Sequence, residues 1–194
     1  MMMCLIVIVD LSFFTVAYGV EHPKLNNEIR SVEPTFLGWA SALACYPPFQ
    51  WGSLAVLGWY PLEYPDYDAY GLQWPAGLTM LGLMSVYTWA SVALGLKASN
   101  LTNRGIVCRG PYRVIRHPAY ICKNLFWWVA AMPVVLRLAD AGEWAAVGFA
   151  LFSLSAWTGI YTIRALTEER HLKADPDYRD YCERVKWRYV PGVW

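Results

Sequence analysis

The sequence predicts an all-α fold, an integral-membrane helical bundle of about five transmembrane helices, and three observations lead there. Only 16% of the 194 residues are charged, against 57% hydrophobic, whereas an ordinary soluble domain carries roughly 25% charge. Mean hydropathy is +0.27, and long runs carry no charge at all. The loops between those runs also differ in sign, as loops on opposite sides of a membrane do. Membrane lipid is therefore an expected partner. A net charge of +1 provides no global field to gather nucleic acid, and no nucleic-acid partner is expected.

Residues 1–20 make the first apolar segment, interrupted by Asp10. It lacks the basic flank of a signal peptide, although Ala17-Tyr18-Gly19 resembles a cleavage site, and it reads as a span. Pro34 to Leu62 is free of Lys and Arg and exceeds the roughly 20 residues a spanning helix needs. Pro47-Pro48 removes two amide donors inside it, which should break or kink the helix into half-segments. Ala69 to Leu96 has the required length and no charge. Cys122 to Leu136 is shorter, but Lys123 and Arg137 can snorkel from its ends. Trp144 to Ile163 completes the set. Residues 1–96 thus form an N-terminal unit of transmembrane helices, and residues 97–194 a C-terminal unit of loop, helical hairpin and tail.

Loop charge sets the orientation. Residues 97–120 carry Lys97, Arg104, Arg109, Arg113 and Arg116 with no acid, and the tail beyond Ile163 is also rich in Arg and Lys. Residues 63–74 carry Glu63, Asp66 and Asp68 with no base. The basic loop and the tail should share the cytoplasmic face. Five cysteines are scattered singly, and three histidines stand far apart. That pattern gives neither a disulfide framework nor a metal site, so no metal is expected.

Chemistry concentrates in residues 105–120, GIVCRGPYRVIRHPAY. Gly105, Gly110 and Pro111 suit a compact folded loop, and Pro118 suits the first turn of the next helix. Arg116 and His117 then stand at the helix entrance and Tyr120 in its first turn, beside free amides that favour an anionic group. In the last span Arg164, Glu168 and Leu172 recur at spacing four and share a face, with Glu169 turned about 100° further round. The carboxylates could accept hydrogen bonds from a ribose or an ammonium, and Arg164 could fork onto a substrate carboxylate. Plainer readings stand beside these. Arg113 and Arg116 would fix topology, His117 would bond backbone, and Glu168, Glu169 and Arg170 would form a solvated face. Trp127, Trp128, Trp144 and Trp157 would be interfacial anchors.

Taken together, Gly110-Pro111-Tyr112, Arg116-His117-Pro118-Ala119-Tyr120, Arg164, Glu168-Glu169 and Leu172 resemble the isoprenylcysteine carboxyl methyltransferase family and its wider group of small membrane methyltransferases. Asp177-Tyr178, Tyr181, Arg184-Val185 and Pro191-Gly192-Val193-Trp194 extend the resemblance, which covers roughly residues 98–194. It implies a methyltransferase-like C-terminal region that binds S-adenosyl-L-methionine at the cytoplasmic face without a Rossmann domain. No G-x-G-x-x-G motif is present. The resemblance further implies that Ile106 and Val107 line an adenosine pocket. Tyr112, His117, Pro118, Tyr120 and Leu172 would contact the cofactor, with Arg116 supporting the loop and Glu168 and Glu169 as the acidic pair. Arg164 and Glu168 would be catalytic, and Arg164, Asn124 and Trp128 would face a lipophilic or prenylated acceptor.

Ser99 to Gly105 and Lys123-Asn124 depart from the prenylcysteine enzymes and leave the acceptor open among lipids, isoprenoids and other small amphiphiles. One alternative is an NADPH-dependent sterol-type double-bond reductase, since those proteins resemble this chain around Arg116-His117-Pro118. A non-catalytic membrane scaffold or heme-associated helper that kept the fold is another. A transporter is disfavoured, because the spans show no inverted repeat.

Overall fold

A computed structural model describes the backbone of residues 2–193 and the side chains of residues 8–193. The protein is an all-α membrane helical bundle. Its helices are α1 (Met2–Gly19), α2 (Phe36–Leu43), α3 (Phe49–Leu57), α4 (Gln73–Leu94), α5 (Pro118–Asp140), α6 (Trp144–Leu172) and α7 (Pro176–Arg184). A short antiparallel ladder joins β1 (Ser31–Val32) to β2 (Thr102–Asn103), pairing Ser31 with Asn103 and Val32 with Thr102. Helix α5 packs between α4 and α6, α1 lies against α4, and α2 and α3 lie against α6.

Three segments among the described residues are long and apolar enough to cross a membrane: Gln73–Lys97, Pro118–Asp140 and Trp144–Leu172. Between 28% and 39% of the most apolar stretch of each is buried inside the protein. The remainder faces outward with Trp74, Leu78, Trp89, Leu125 and Phe152 exposed, a surface for which lipid is the fitting solvent.

The expected break at Pro47-Pro48 is present, and it leaves one of the five expected spans without a single crossing helix. Pro34 to Leu62 is not one helix, because the Pro47-Pro48 pair separates α2 from α3, which have 8 and 9 residues. At 1.5 Å per residue each covers only about 12–14 Å of a hydrocarbon core roughly 30 Å thick. Helix α1 has 18 residues, Met2–Gly19, within the roughly 17–25 residues of a spanning helix. Two helices run past their apolar stretches, as the motif spacing predicts: α5 starts at Pro118, ahead of Cys122, and α6 continues past Ile163 to Leu172. The polar residues in that extension, Thr167 to His171, are held by partners inside the protein, so the helix persists where hydropathy fades.

Polar side chains fasten the bundle. Asp10 accepts hydrogen bonds from the Tyr87 hydroxyl at 2.7 Å and from Ser91, joining α1 to α4. Pro133 lies inside α5 and has no amide hydrogen for the Val129 carbonyl four residues earlier. The buried Tyr67 hydroxyl donates to that carbonyl instead. Leu62 donates its amide to the neighbouring Ala130 carbonyl at 3.2 Å. The connection between α3 and α4 is thereby stitched onto the proline turn of α5.

Removing the phenol leaves a buried carbonyl unpaired. Tyr67→Phe should therefore lower stability by about 1–2 kcal/mol, read as thermal unfolding of detergent-solubilised protein. Adding Pro133→Ala returns an amide to Val129 and should recover part of that loss. An equal loss from Tyr67→Phe in both backgrounds would contradict the pairing.

Candidate functional site

A cavity opens where α4, residues 99–107, the start of α5 and the end of α6 meet. It offers about 150 Å³ to the centres of water molecules and about 1350 Å³ when its open mouth is included. The loop that forms one wall is shaped by a close approach to α4. Gly110 adopts φ +59°, and a Cβ there would meet the Ala93 methyl and the Trp89 ring at 3.1 Å. Only glycine combines that backbone with that proximity. Next to it Arg109 donates to the Ala93 carbonyl at 2.9 Å.

The chain beyond α7 closes over the same loop. Arg116 and His117 donate their amides to the Trp187 and Arg188 carbonyls at 2.9 and 3.0 Å, and the Tyr181 hydroxyl donates to the Tyr112 carbonyl at 2.8 Å. Two of the amides expected to be free for an anion at the helix entrance are thus already used. Burial pushes the phenols of Tyr112, Tyr178 and Tyr181 above their ordinary range, with neighbouring carboxylates adding to the effect at Tyr112 and Tyr178. These hydroxyls are neutral donors at physiological pH.

The acidic pair divides. Glu169 is 1% exposed and turns away from the cavity. Its carboxylate receives Arg116 at 3.2 Å, the His117 imidazole at 3.2 Å and Arg188 at 3.0 Å. Glu168 faces the cavity, where it accepts the Tyr120 hydroxyl at 3.0 Å. Among the described residues, no cation lies within ion-pair distance of Glu168.

Arg164 is buried one turn earlier on α6. Its guanidinium donates to the Asn100 side-chain oxygen at 3.0 Å and lies 4.9–5.5 Å from the ring centres of Tyr46, Tyr120 and Tyr161. Lys123 lies over Trp127 and Tyr161 at 5.3 and 5.5 Å. Arg104 donates to the carbonyls of Ala17 and Asn27 at 2.9 and 3.2 Å. The cavity wall thus contains the cations Lys97, Arg104, Arg116, Lys123 and Arg164 but only two carboxylates, Glu33 and Glu168.

The N-terminal segment forms the rim. Glu33 accepts from Thr35 and from Arg170, and the Ser31 hydroxyl meets the His171 ring at 2.8 Å. Arg30 pairs with Asp175 and Asp177 at 3.2 and 3.1 Å. Burial alone would raise the Asp175 carboxyl. Bonds from Asn103 at 2.7 Å, from the Asp177 amide at 3.0 Å and from Arg30 outweigh it and hold the group below its ordinary value.

Of the residues anticipated from sequence, Ile106, Val107, Tyr112, Arg116, His117, Tyr120, Arg164, Glu168 and Leu172 line one cavity. Pro118 is buried as the first residue of α5. Asn124 is buried beside the cavity and donates to the Tyr120 carbonyl at 2.8 Å. Trp128 lies between α5 and α6, bonded to Thr158 at 3.0 Å. Neither of these two lines the cavity. The sequence reading missed Phe14, Tyr46, Tyr87 and Ser91 from the N-terminal half, and Asn100, Arg104 and Lys123 from the segments that matched no motif. Asp10 was the available signal for the first group, since a carboxylate in an apolar helix needs polar partners on its neighbour.

The sequence model of a family described as "Protein of unknown function (DUF1295)" matches residues 73–185, more than half of the chain. No curated protein matches it.

Two outcomes follow from the divided acidic pair and the rim. Glu169→Gln strands buried cations and should cost about 3 kcal/mol or more, whereas Glu168→Gln removes a partly buried charge that has no cationic partner among the described residues and should leave stability unchanged or raise it in the same thermal unfolding assay. Because the folded value of Asp175 lies below its unfolded value of about 3.9, its contribution is complete above that value. It is lost as pH falls through the folded value. Unfolding midpoints should hold from pH 7 to about 5 and fall below about 4, and Asp175→Asn should flatten part of that fall.

Proposed function

The chain belongs to the family described as "Protein of unknown function (DUF1295)", and on that premise we propose that it is an integral-membrane S-adenosylmethionine-dependent methyltransferase acting on a lipophilic acceptor. One observation carries the reading: the Glu168 carboxylate faces the cavity with no cationic partner among the described residues. A partly buried, unpaired carboxylate is costly, and a cationic ligand group would compensate it. The resemblance of Gly110-Pro111-Tyr112, Arg116-His117-Pro118-Ala119-Tyr120 and Arg164 with Glu168-Glu169 to the isoprenylcysteine carboxyl methyltransferases points to the same ligand class.

The residues present suit that cofactor. Ile106, Val107 and Leu172 offer apolar surface to an adenine ring, and Tyr112, Tyr120 and Tyr178 add aromatic faces. Glu168 would accept hydrogen bonds from a ribose or an ammonium. Glu169 acts through others: it fixes Arg116 and His117, which hold the loop to the segment after α7. When bound, the cofactor supplies an activated methyl group.

The remaining work falls to the chain, which must hold donor and acceptor in line and exclude water. A carboxylate acceptor is already ionised at neutral pH and needs no base. Arg164, flanked by three aromatic rings, would orient it without taking a proton. In this reading the cavity mouth faces the cytosol, because the basic loop Lys97 to Arg116 and the basic tail lie at that end.

The surplus of cations around the cavity favours a second reading, a reductase binding the phosphates of NADPH. The unpaired Glu168 opposes it, since a carboxylate repels phosphate. Calorimetry on the purified protein separates the two. S-adenosylhomocysteine should bind, NADPH should not, and Glu168→Gln should weaken binding at least about tenfold, the scale of one charge-assisted hydrogen bond. Binding of NADPH alone would overturn the assignment.

A further inference from the structure

Ser31 and Glu33 come from the extended segment at the cavity rim, and His171 from the last turn of α6. Side chains of an extended chain alternate in direction, so residues two apart project to the same side. The pairing of β1 with β2 fixes this segment. The Arg30 and Glu33 amides donate to the Asn103 and Leu101 carbonyls at 2.8 Å each.

The three side chains form a line. Ser31 Oγ lies 2.8 Å from His171 Nε2, and His171 Nδ1 lies 4.0 Å from Glu33 Oε2. When the serine hydroxyl donates to Nε2, the ring proton sits on Nδ1 and faces that carboxylate oxygen. Glu33 Oε2 is buried and has no hydrogen-bond partner, which leaves it open to this proton. The other oxygen, Oε1, accepts from the Thr35 amide and hydroxyl and from Arg170. Burial would raise the Glu33 carboxyl, but these bonds outweigh it and hold the group below its ordinary value. It is therefore ionised at neutral pH.

Other serine hydroxyls have different partners. Ser41 donates to the Gly38 carbonyl at 3.1 Å, Ser91 donates to Asp10, and Ser99 meets the Thr102 hydroxyl. Ser41 and Ser91 are also buried, whereas Ser31 is half-buried and within reach of a reagent.

A serine hydroxyl is a weak nucleophile until an adjacent base takes its proton, and a third group that orients the base completes the set. Such a set is recognised by geometry and roles, whatever its order along the chain. We propose that Ser31 is a nucleophile activated by His171, with Glu33 as the positioning residue, and that this rim site hydrolyses acyl esters. The Ser31 oxygen forms a bond to the acyl carbon while its proton passes to His171 Nε2. The ester carbon–oxygen bond then breaks, and the leaving oxygen takes that proton and departs as an alcohol. Water cleaves the acyl-serine by the same route, releasing the carboxylic acid and restoring the Ser31 hydroxyl. Ser31 and Glu33 lie outside the stretch that matches the family, and the proposal does not rest on the methyltransferase reading.

The test is covalent labelling of the full chain in detergent with a biotin-tagged fluorophosphonate, whose phosphorus takes the Ser31 oxygen as fluoride leaves. Peptide mapping by mass spectrometry should place the adduct on Ser31, and Ser31→Ala should remove it. His171→Gln should slow labelling at least about a hundredfold, the scale of general-base assistance. Glu33→Gln should slow it at least about tenfold. Glu33→Asp, which restores the charge, should recover part of that rate, a dependence that a purely structural clasp would not show. Hydrolysis of p-nitrophenyl butyrate should follow the same order among the variants. A wild type that does not label at Ser31, or a His171→Gln variant that labels at the wild-type rate, would overturn the proposal.

Discussion

The architecture around the cavity depends on one buried carboxylate. Glu169 gathers Arg116, His117 and Arg188 from two stretches of chain. In a low-dielectric interior an unpaired Glu169 carboxylate or an unpaired arginine would carry a heavy desolvation cost. Together they close the loop before α5, the last long helix and the segment after α7 into one unit. The neighbouring Glu168 is thereby left to face the cavity. Two adjacent acids acquire opposite roles because about 100° of helix separates them.

Much of the bundle could be read from the chain itself. The charge-free runs anticipated α4, α5 and α6, and the Pro47-Pro48 pair anticipated the break between α2 and α3. Helix limits were less legible. Hydropathy ends α6 near Ile163, whereas hydrogen bonds carry it to Leu172. Hydropathy is blind to partners that arrive from elsewhere in the sequence, and only the polar spacing of Arg164, Glu168 and Leu172 marked the extension.

The site was legible where local order carried it. The Gly110 to Tyr120 stretch and the Arg164, Glu168, Leu172 spacing pointed to residues that do meet at one cavity. What sequence could not reveal was contact between distant segments. Tyr46 and Asn100 have no motif, and they matter only because β1 pairs with β2 and brings residues near 100 beside the N-terminal half. Asn124 and Trp128 lie near Tyr120 in sequence, yet they do not line the cavity. At spacing four they share the face of Tyr120, but they sit about 6 and 12 Å further along the axis, where their side chains are spent on the Tyr120 carbonyl and on Thr158.

The loop amides of Arg116 and His117 take their carbonyl partners from Trp187 and Arg188, about seventy positions later. Protein synthesis delivers the loop first. While α5 and α6 are being inserted into the bilayer, the loop has neither those carbonyls nor Arg188 to complete its charge cluster. Ligand competence would then arrive as a late event in biogenesis, after the long helices are already embedded. A nascent chain halted before Trp187 would have its bundle without a finished pocket.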